Sequence, residues 1–495
     1  MPEETTKKPR VDLRSDFPHG KEDSDLHIRL NPSLLTADFT TPFHTAYTND
    51  SLSATTTIAS GDSTGTIVAS PFHTGKLTNV FPKHFLLALK EELKTLTWHH
   101  RSNDLYKFNQ TDDLALNALP HIKALRDYMA GEEFVGFMES ITGLELTRGY
   151  LDLAAQRYKS TNHLLCHDDD VHRGKLARRI AYIIYLVDEE WSEEDGGALG
   201  LFGNDENRHP TSIQEHIVPE FNSMGFFRTG LVSYHTVEEI TVKDLARERW
   251  SVTGWFYGPV TPEITPDPDH LPHLPASVLP AVADLTDTPC ELEEWINPDY
   301  LKPETQTRIL DALMEQSSVE LRDFLRSDVF EKVSQELSDE FWSEAPLMGP
   351  PNLRQYLAAE PTTPLVKDLA GFLRSKSFAS LLRSLTSLDL IKGSQEMRKF
   401  SHGHYTLIHD QALEPNGLDV ILSLTQKTDW DDEAWGGATH YIADADELLR
   451  IQPIANSLAL VLRDEGVLRF VKYLNHLAEQ DRQEISMVFI EQPEE

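Results

Sequence analysis

His167 and Asp169 form the only His-x-Asp triplet in a chain of 495 residues, and in extended backbone two residues so spaced project to the same face. By itself the triplet is weak, because a chain with 21 histidines meets such spacings by chance. The sequence further on adds weight. His235 follows His167 by 68 residues in the apolar run GLVSYH, and Arg249 follows His235 by 14 at the start of RWSVTGWF. Two imidazoles and one carboxylate on one face suit Fe(II) and leave positions open for a chelating cosubstrate and dioxygen. A planar guanidinium at the closed end of a barrel would grip the far carboxylate of 2-oxoglutarate in a two-pronged ion pair, which lysine fits less well. Tyr158 and Tyr185 could offer hydroxyls to the same cosubstrate; the competing reading is that each packs and finds a local acceptor. The same three ligands could hold zinc for hydrolysis, but Arg249 and the tyrosines would then lack a purpose. Asp168 and Asp170 read as solvated loop acids, and Cys166 as a small packed side chain.

These groups need a rigid frame. From Tyr150 the chain breaks into short apolar runs separated by turns, LDLAAQRY, ARRIAYIIYLV, GGALGLF, HIVPEF, MGFFRTGLVSYH and RWSVTGWFYG, the pattern of an antiparallel sandwich or jelly roll. Helices precede it: PKHFLLALKEELKTL at 82–96 carries apolar residues at three- and four-residue intervals, and more helix is expected at 113–142. Residues 1–26 are charged and 45–70 are rich in Ser and Thr, which predicts a disordered or loosely attached arm over 1–70. Lys7, Lys8 and Arg10 within it could serve as a weak nuclear-import signal, against the plainer reading of a solvated tail. Seven of the chain's 28 prolines fall between 259 and 280, a density that stops helix and sheet alike and marks a linker. Beyond it, helical runs such as ETQTRILDALMEQ come first and strand-like runs return from 399.

The order therefore repeats, and the copies can be paired: RYKSTNHLLCHDD at 157–169 with KFSHGHYTLIHDQ at 399–411, GLVSYHTVEEI at 230–240 with ALVLRDEGVLR at 459–469, and RWSVTGWF at 249–256 with RQEISMVF at 482–489. Both copies carry a Trp-bearing acidic loop before Gly-Gly. The pairing implies one β-fold duplicated within the chain. In the second copy His409 stands for His167, but Gln411 stands for Asp169, Phe400 for Tyr158, about Leu424 for Tyr185 and Asp464 for His235; Arg482 stands for Arg249. No iron is expected there, and a docking or regulatory surface is the expected role.

A balance of 45 basic against 80 acidic side chains, net −35, argues against sequence-independent binding to nucleic acid or an anionic membrane and favours a basic partner. Only Cys166 and Cys290 are present, and the start MPEETTKKPR lacks the apolar segment of a signal peptide. A soluble protein of the cytoplasm and nucleus is expected. The acids Asp188, Glu189, Glu190, Glu193, Glu194 and Asp195 could steer a basic substrate, although charge runs are usually only solvated.

Residues 71–260 resemble the Fe(II)/2-oxoglutarate-dependent prolyl hydroxylases. NDLYKFNQTDDL at 103–114, LLCHDDD at 164–170 and RWSVTGWFYGP at 249–259 resemble the eukaryotic ribosomal prolyl hydroxylases, and LEEWINPDYL and PLMGPPNLRQY extend the likeness past the linker. The resemblance implies an α+β chain of two tandem double-stranded β-helix domains with supporting helices, the first catalytic at 71–260, a Pro-rich linker at 261–285 and a second, non-catalytic domain at 286–495. It implies Fe(II) on His167, Asp169 and His235, 2-oxoglutarate on Arg249 with Tyr158 and Tyr185 as helpers, O2 as oxidant and ascorbate as a supporting reductant. The implied reaction is 3-hydroxylation, or 3,4-dihydroxylation, of a proline in a basic small-subunit ribosomal protein near the decoding centre, with effects on translation accuracy and termination. Termination factors or a transcription regulator are the implied further partners. The competing readings are oxidation of a nucleobase or small metabolite on the same iron core, and an oxygen-responsive adapter that binds a partner through the second domain.

Overall fold

The computed structural model describes residues 26–206, 208–261, 280–287, 290–344, 355–408, 414–426, 428–444 and 446–491. The chain forms two compact units, 1–272 and 273–495.

In the first unit the strands run Thr74–Thr78, Ser223–Arg228, Leu176–Tyr185, Arg249–Pro259 and Leu151–Tyr158 across one layer; the path then passes through Tyr106–Gln110 to His163–His167, His235–Val237, Leu199–Asn204 and Pro210–Ile217. Strand Leu176–Tyr185 reads as a continuous apolar run because both of its faces are covered. Ile180, Tyr182 and Ile184 pack with Phe85, Leu89, Met129 and Phe134 of the helices Lys83–Lys94, Pro120–Ala130 and Glu132–Thr142. Ala181, Ile183 and Tyr185, one residue out of phase, join Tyr158, Leu201 and Val237 inside the sheet. Strand Arg249–Pro259 divides in the same way. Trp250, Val252 and Phe256 face the helices, which leaves Arg249 and Ser251 on the inner face.

Residues 26–70 are not a loose arm. Helix Ala37–Tyr47 sends Phe39, Phe43 and Tyr47 into the helix-side core, and the Phe43 ring packs at a tilt 6.1 Å from that of Phe226. Strands Thr56–Ser60 and Ser63–Val68 extend the sheet outward from Thr74–Thr78. The Ser/Thr richness of 45–70 hides β-branched residues that suit an edge ribbon, and the aromatics four apart form a helical stripe. Residues 1–25, with Lys7, Lys8 and Arg10, lie outside the described residues, as do 262–279 of the Pro-rich stretch. At the far end of that stretch Ala283–Asp284 pairs with Leu390–Phe400 and so belongs to the second unit's sheet.

The second unit lays its strands in the order Ser457–Arg463, Gly417–Ser423, Arg482–Glu491, Leu390–Phe400, beside a three-stranded sheet of Leu468–Val471, Thr439–Ala443 and Asp446–Ile451. This is the strand order of the first unit. The helices Pro303–Gln316, Ser327–Glu336, Pro364–Leu373 and Lys376–Thr386 supply the apolar cover.

Register makes the residue pairing of the two units definite. Arg249 pairs with Tyr158 and Arg482 with Phe400; Ser251 pairs with Tyr185 and Glu484 with Ser423. Leu201 pairs with His235, and Tyr441 with Arg469. The counterpart of His235 is therefore Arg469, not Asp464, which lies beyond the end of Ser457–Arg463. The ungapped sequence pairing matched two apolar runs five residues out of register. Ser423 rather than Leu424 answers Tyr185, and one residue of slip changes the face. His409 and Gln411 lie outside the described residues.

Candidate active site

His167 ends strand His163–His167, and His235 begins the antiparallel strand beside it, directly opposite. The two rings stand 4.1 Å apart between centroids. Each Nδ1 donates to the carbonyl two residues earlier, His167 to Leu165 at 2.8 Å and His235 to Ser233 at 2.7 Å. Because a carbonyl only accepts, Nδ1 carries the hydrogen and both Nε2 atoms present lone pairs. Burial, reinforced by His235, pulls the His167 pKa down to about 4, so that ring is neutral near pH 7.

Asp169 comes to the histidines by a turn rather than by strand alternation. It lies beyond the strand end with φ +64°, a left-handed conformation uncommon outside glycine and frequent at functional sites. Its Oδ1 sits 3.7 Å from His167 Nε2 and its Oδ2 3.4 Å from His235 Nε2. All three donor atoms lie within 4.8 Å of one another, a spacing that one ion can bridge. Burial alone would raise the Asp169 pKa, but the two histidines and Arg178 outweigh it and keep the carboxylate ionised. Two imidazoles beside one carboxylate fit a ferrous ion.

Two residues not singled out from the sequence hold the carboxylate in place. Trp255 Nε1 donates to Asp169 Oδ2 at 3.0 Å, and Arg178 reaches Oδ1 at 3.4 Å while its guanidinium lies 3.5 Å from the centre of the Trp255 ring. Partners of this kind set ligand orientation, and their loss typically costs about 10- to 100-fold in metal affinity or activity. Trp255→Phe, which keeps the ring and removes the donor, should weaken Fe(II) binding by that factor in a metal titration. An unchanged affinity would assign the indole to packing alone.

Deeper in the same interior, Arg249 is fully buried. Its Nε donates to Gly197 O at 2.8 Å, and among the described residues Nη1 and Nη2 have no hydrogen-bond partner. Gly197 is required here, since a Cβ would fall 2.7 Å from Arg249 Cδ. The rings of Tyr158 and Tyr185 lie 5.2 and 5.0 Å from the guanidinium carbon. Tyr158 donates to Gln156 Oε1 at 3.2 Å, the Tyr185 hydroxyl faces the guanidinium, and the buried Ser251 hydroxyl has no hydrogen-bond partner among the described residues. An uncompensated buried cation is costly, and a carboxylate is the group that would satisfy it bidentately. The residues present therefore fit 2-oxoglutarate. Ser251 is a third residue that sequence reasoning missed. Its signal was available, since the side chain two positions after Arg249 on a strand must share its face.

Three of the six loop acids are paired with cations of the same unit. Asp195 pairs with Arg247 at 2.6 Å, Glu189 with Lys83 at 2.5 Å, and Asp188 lies 3.7 Å from Lys90. Trp191 Nε1 donates to Gly196 O at 3.1 Å, and in the second unit Trp430 Nε1 donates to Gly436 O at 2.8 Å. In both units the Trp, acidic and Gly-Gly pattern shapes the turn on which the buried arginine is anchored. Asp168 is not a solvated acid: burial pushes its pKa up to about 6, and its carbonyl accepts from Ser233 Oγ at 2.8 Å. Cys166 is packed and buried as expected.

Residues 153–257 match the model of the 2OG-Fe(II) oxygenase superfamily, and residues 287–495 that described as oxoglutarate and iron-dependent oxygenase degradation C-term. His167, Asp169, His235 and Arg249 all fall within the first match. The chain is 36% identical over 441 residues to prolyl 3-hydroxylase OGFOD1 of Xenopus laevis, covering 80% of this chain and 81% of that protein. It is 33% identical over 470 residues to prolyl 3-hydroxylase OGFOD1 of Mus musculus, covering 79% and 82%. A prolyl 3,4-dihydroxylase OGFOD1 of Ostreococcus tauri is 29% identical over 497 residues, covering 84% and 94%.

Proposed function

Since the chain belongs to the prolyl 3-hydroxylase family of the 2OG-Fe(II) oxygenases, we propose that its first unit hydroxylates a prolyl residue of a protein, with Fe(II) on His167, Asp169 and His235 and 2-oxoglutarate on Arg249. The observation that carries this reading is the combination of the converged triad with a buried guanidinium whose two terminal nitrogens have no hydrogen-bond partner among the described residues. When bound, the iron and the cosubstrate supply the oxidation: O2 is consumed, 2-oxoglutarate becomes succinate and CO2, and a prolyl C–H becomes C–OH.

The chain's own part is binding and positioning. Arg249 receives the far carboxylate, with the hydroxyls of Ser251 and Tyr185 beside it as further donors. The backbone carbonyls of Leu165 and Ser233 keep both imidazoles in the tautomer that offers Nε2. Trp255 and Arg178 restrain the rotation of Asp169. Phe227, whose ring lies 4.6 Å from His235, walls one side of the metal pocket with apolar surface and limits the access of water.

The substrate we propose is a proline of a basic small-subunit ribosomal protein near the decoding centre, through which the enzyme would influence translation accuracy and termination. The net charge of −35 supports a basic polypeptide, and the names of the relatives support oxidation at the 3-position, or at both 3 and 4. The second unit is proposed as a non-catalytic docking domain, a role supported by Arg469 at the position of His235. The test is incubation of the purified protein with Fe(II), 2-oxoglutarate and a proline-bearing peptide of that ribosomal protein. A gain of about 16 mass units per hydroxyl with matching succinate is expected. Succinate release with no change in peptide mass would refute the substrate and leave the oxygenase.

A further inference from the structure

Both units anchor a buried strand arginine on the second glycine of Gly-Gly. Arg249 Nε reaches Gly197 O at 2.8 Å, and Arg482 Nη1 reaches Gly437 O at 2.5 Å. They differ in the residue two positions on, which must lie on the arginine's own face. In the first unit that residue is Ser251, too short to meet the charge. In the second it is Glu484, with no exposed surface.

Glu484 Oε2 accepts from Arg482 Nε at 2.9 Å and also from Nη2, while Oε1 accepts from Arg398 Nε at 2.8 Å and Nη2 at 2.5 Å. Arg482 Nη2 adds a bond to Thr439 Oγ1 at 2.7 Å. No nitrogen of Arg482 is left for a ligand, in contrast to Arg249. A second replacement accompanies the first. At the register position of His235, Arg469 meets Glu414 with Nε and Nη2, each at 3.1 Å, and places Nη1 3.2 Å from Asp419 Oδ2.

We propose that the interior of the second unit is liganded by its own chain: the Glu484 carboxylate fills the dicarboxylate subsite, and the Arg469 guanidinium supplies among carboxylates the positive charge that the first unit takes from a metal. The proposal rests on the assignment of Arg249 to 2-oxoglutarate. Its consequence is that the second barrel responds to neither cosubstrate nor metal, so a partner docking on that unit is held independently of oxygenase turnover. The chain then carries one 2-oxoglutarate site, and removal of the Glu484 side chain should open a second that takes small carboxylates.

Two measurements on the full-length protein test this. Titration calorimetry with 2-oxoglutarate should give one equivalent for the wild type and none for Arg249→Ala; a site that survives Arg249→Ala and is lost in Arg482→Ala would overturn the proposal. Glu484→Ser copies the first unit's serine. Its thermal midpoint should fall and then recover by roughly 2–4 °C with acetate, relative to chloride at equal ionic strength, whereas the wild type should show no such difference. A Glu484→Ser protein indifferent to acetate would also overturn it. Should that variant fail to fold in chloride, the refolding yield of Glu484→Ala with and without acetate takes its place, with recovery only in acetate as the expected result and equal yields overturning the proposal. Retention of the single site in Arg249→Ala but not in Arg482→Ala refutes both readings, while retention in both variants refutes only the assignment of Arg249; the acetate response judges Glu484 independently of either.

Discussion

Arg249→Ala is expected to weaken 2-oxoglutarate binding by roughly 30- to 3000-fold, the span given by about 2–5 kcal/mol for truncating one member of a buried, hydrogen-bonded charge pair at tenfold per 1.4 kcal/mol. The size of the effect follows from where the guanidinium lies. Arg249 has no exposed surface, so water cannot stand in for it, and the bound carboxylate would be left facing Tyr158, Tyr185 and Ser251 without a counter-charge. Arg249→Lys should fall between wild type and alanine, because an ammonium restores the charge but offers a point rather than a fork and cannot at once keep the Gly197 anchor and grip two carboxylate oxygens. The KM for 2-oxoglutarate and direct titration are the readouts, with Fe(II) affinity measured alongside. If both variants bind the cosubstrate like the wild type, the carboxylate site lies elsewhere.

His235→Ala should lower Fe(II) affinity by more than about 100-fold and remove turnover with it, since even residues that only orient metal ligands account for 10- to 100-fold. The loss is local. His235 packs edge-on against Phe227 at 4.6 Å, and its truncation leaves a small cavity that does not disturb the pairing of Leu199–Asn204 with Pro210–Ile217. Elemental analysis of protein loaded with equimolar iron, together with succinate release, measures the effect. Full iron content in the variant would exclude His235 as a ligand.

Much of the site was legible because it is written in residue types. An imidazole, a carboxylate two residues on, a second imidazole in an apolar run and an arginine at the head of a strand are a chemical inventory that no rearrangement of the backbone alters. The helices were legible from three- and four-residue spacing. The edge ribbon before residue 70 was not, because Thr and Ser serve equally in a solvated tail and in a β-strand, and only pairing with Thr74–Thr78 and the rest of the sheet distinguishes them.

What the amino-acid order determined by itself was the set of groups available, the two-residue spacing of His167 and Asp169, the presence of Arg249 and the twofold recurrence of one pattern. What the tertiary structure decided was which of those groups meet. Asp169 reaches His235 across 66 residues of chain through a left-handed turn and a strand pairing, Ser251 stands beside Arg249, and Arg469 rather than Asp464 takes the place of a histidine. The physical reason is register. A strand's side chains alternate with a period of two, so the partner each one meets depends on how whole sheets align, and that alignment is set by the collective burial of apolar faces rather than by any local stretch of sequence.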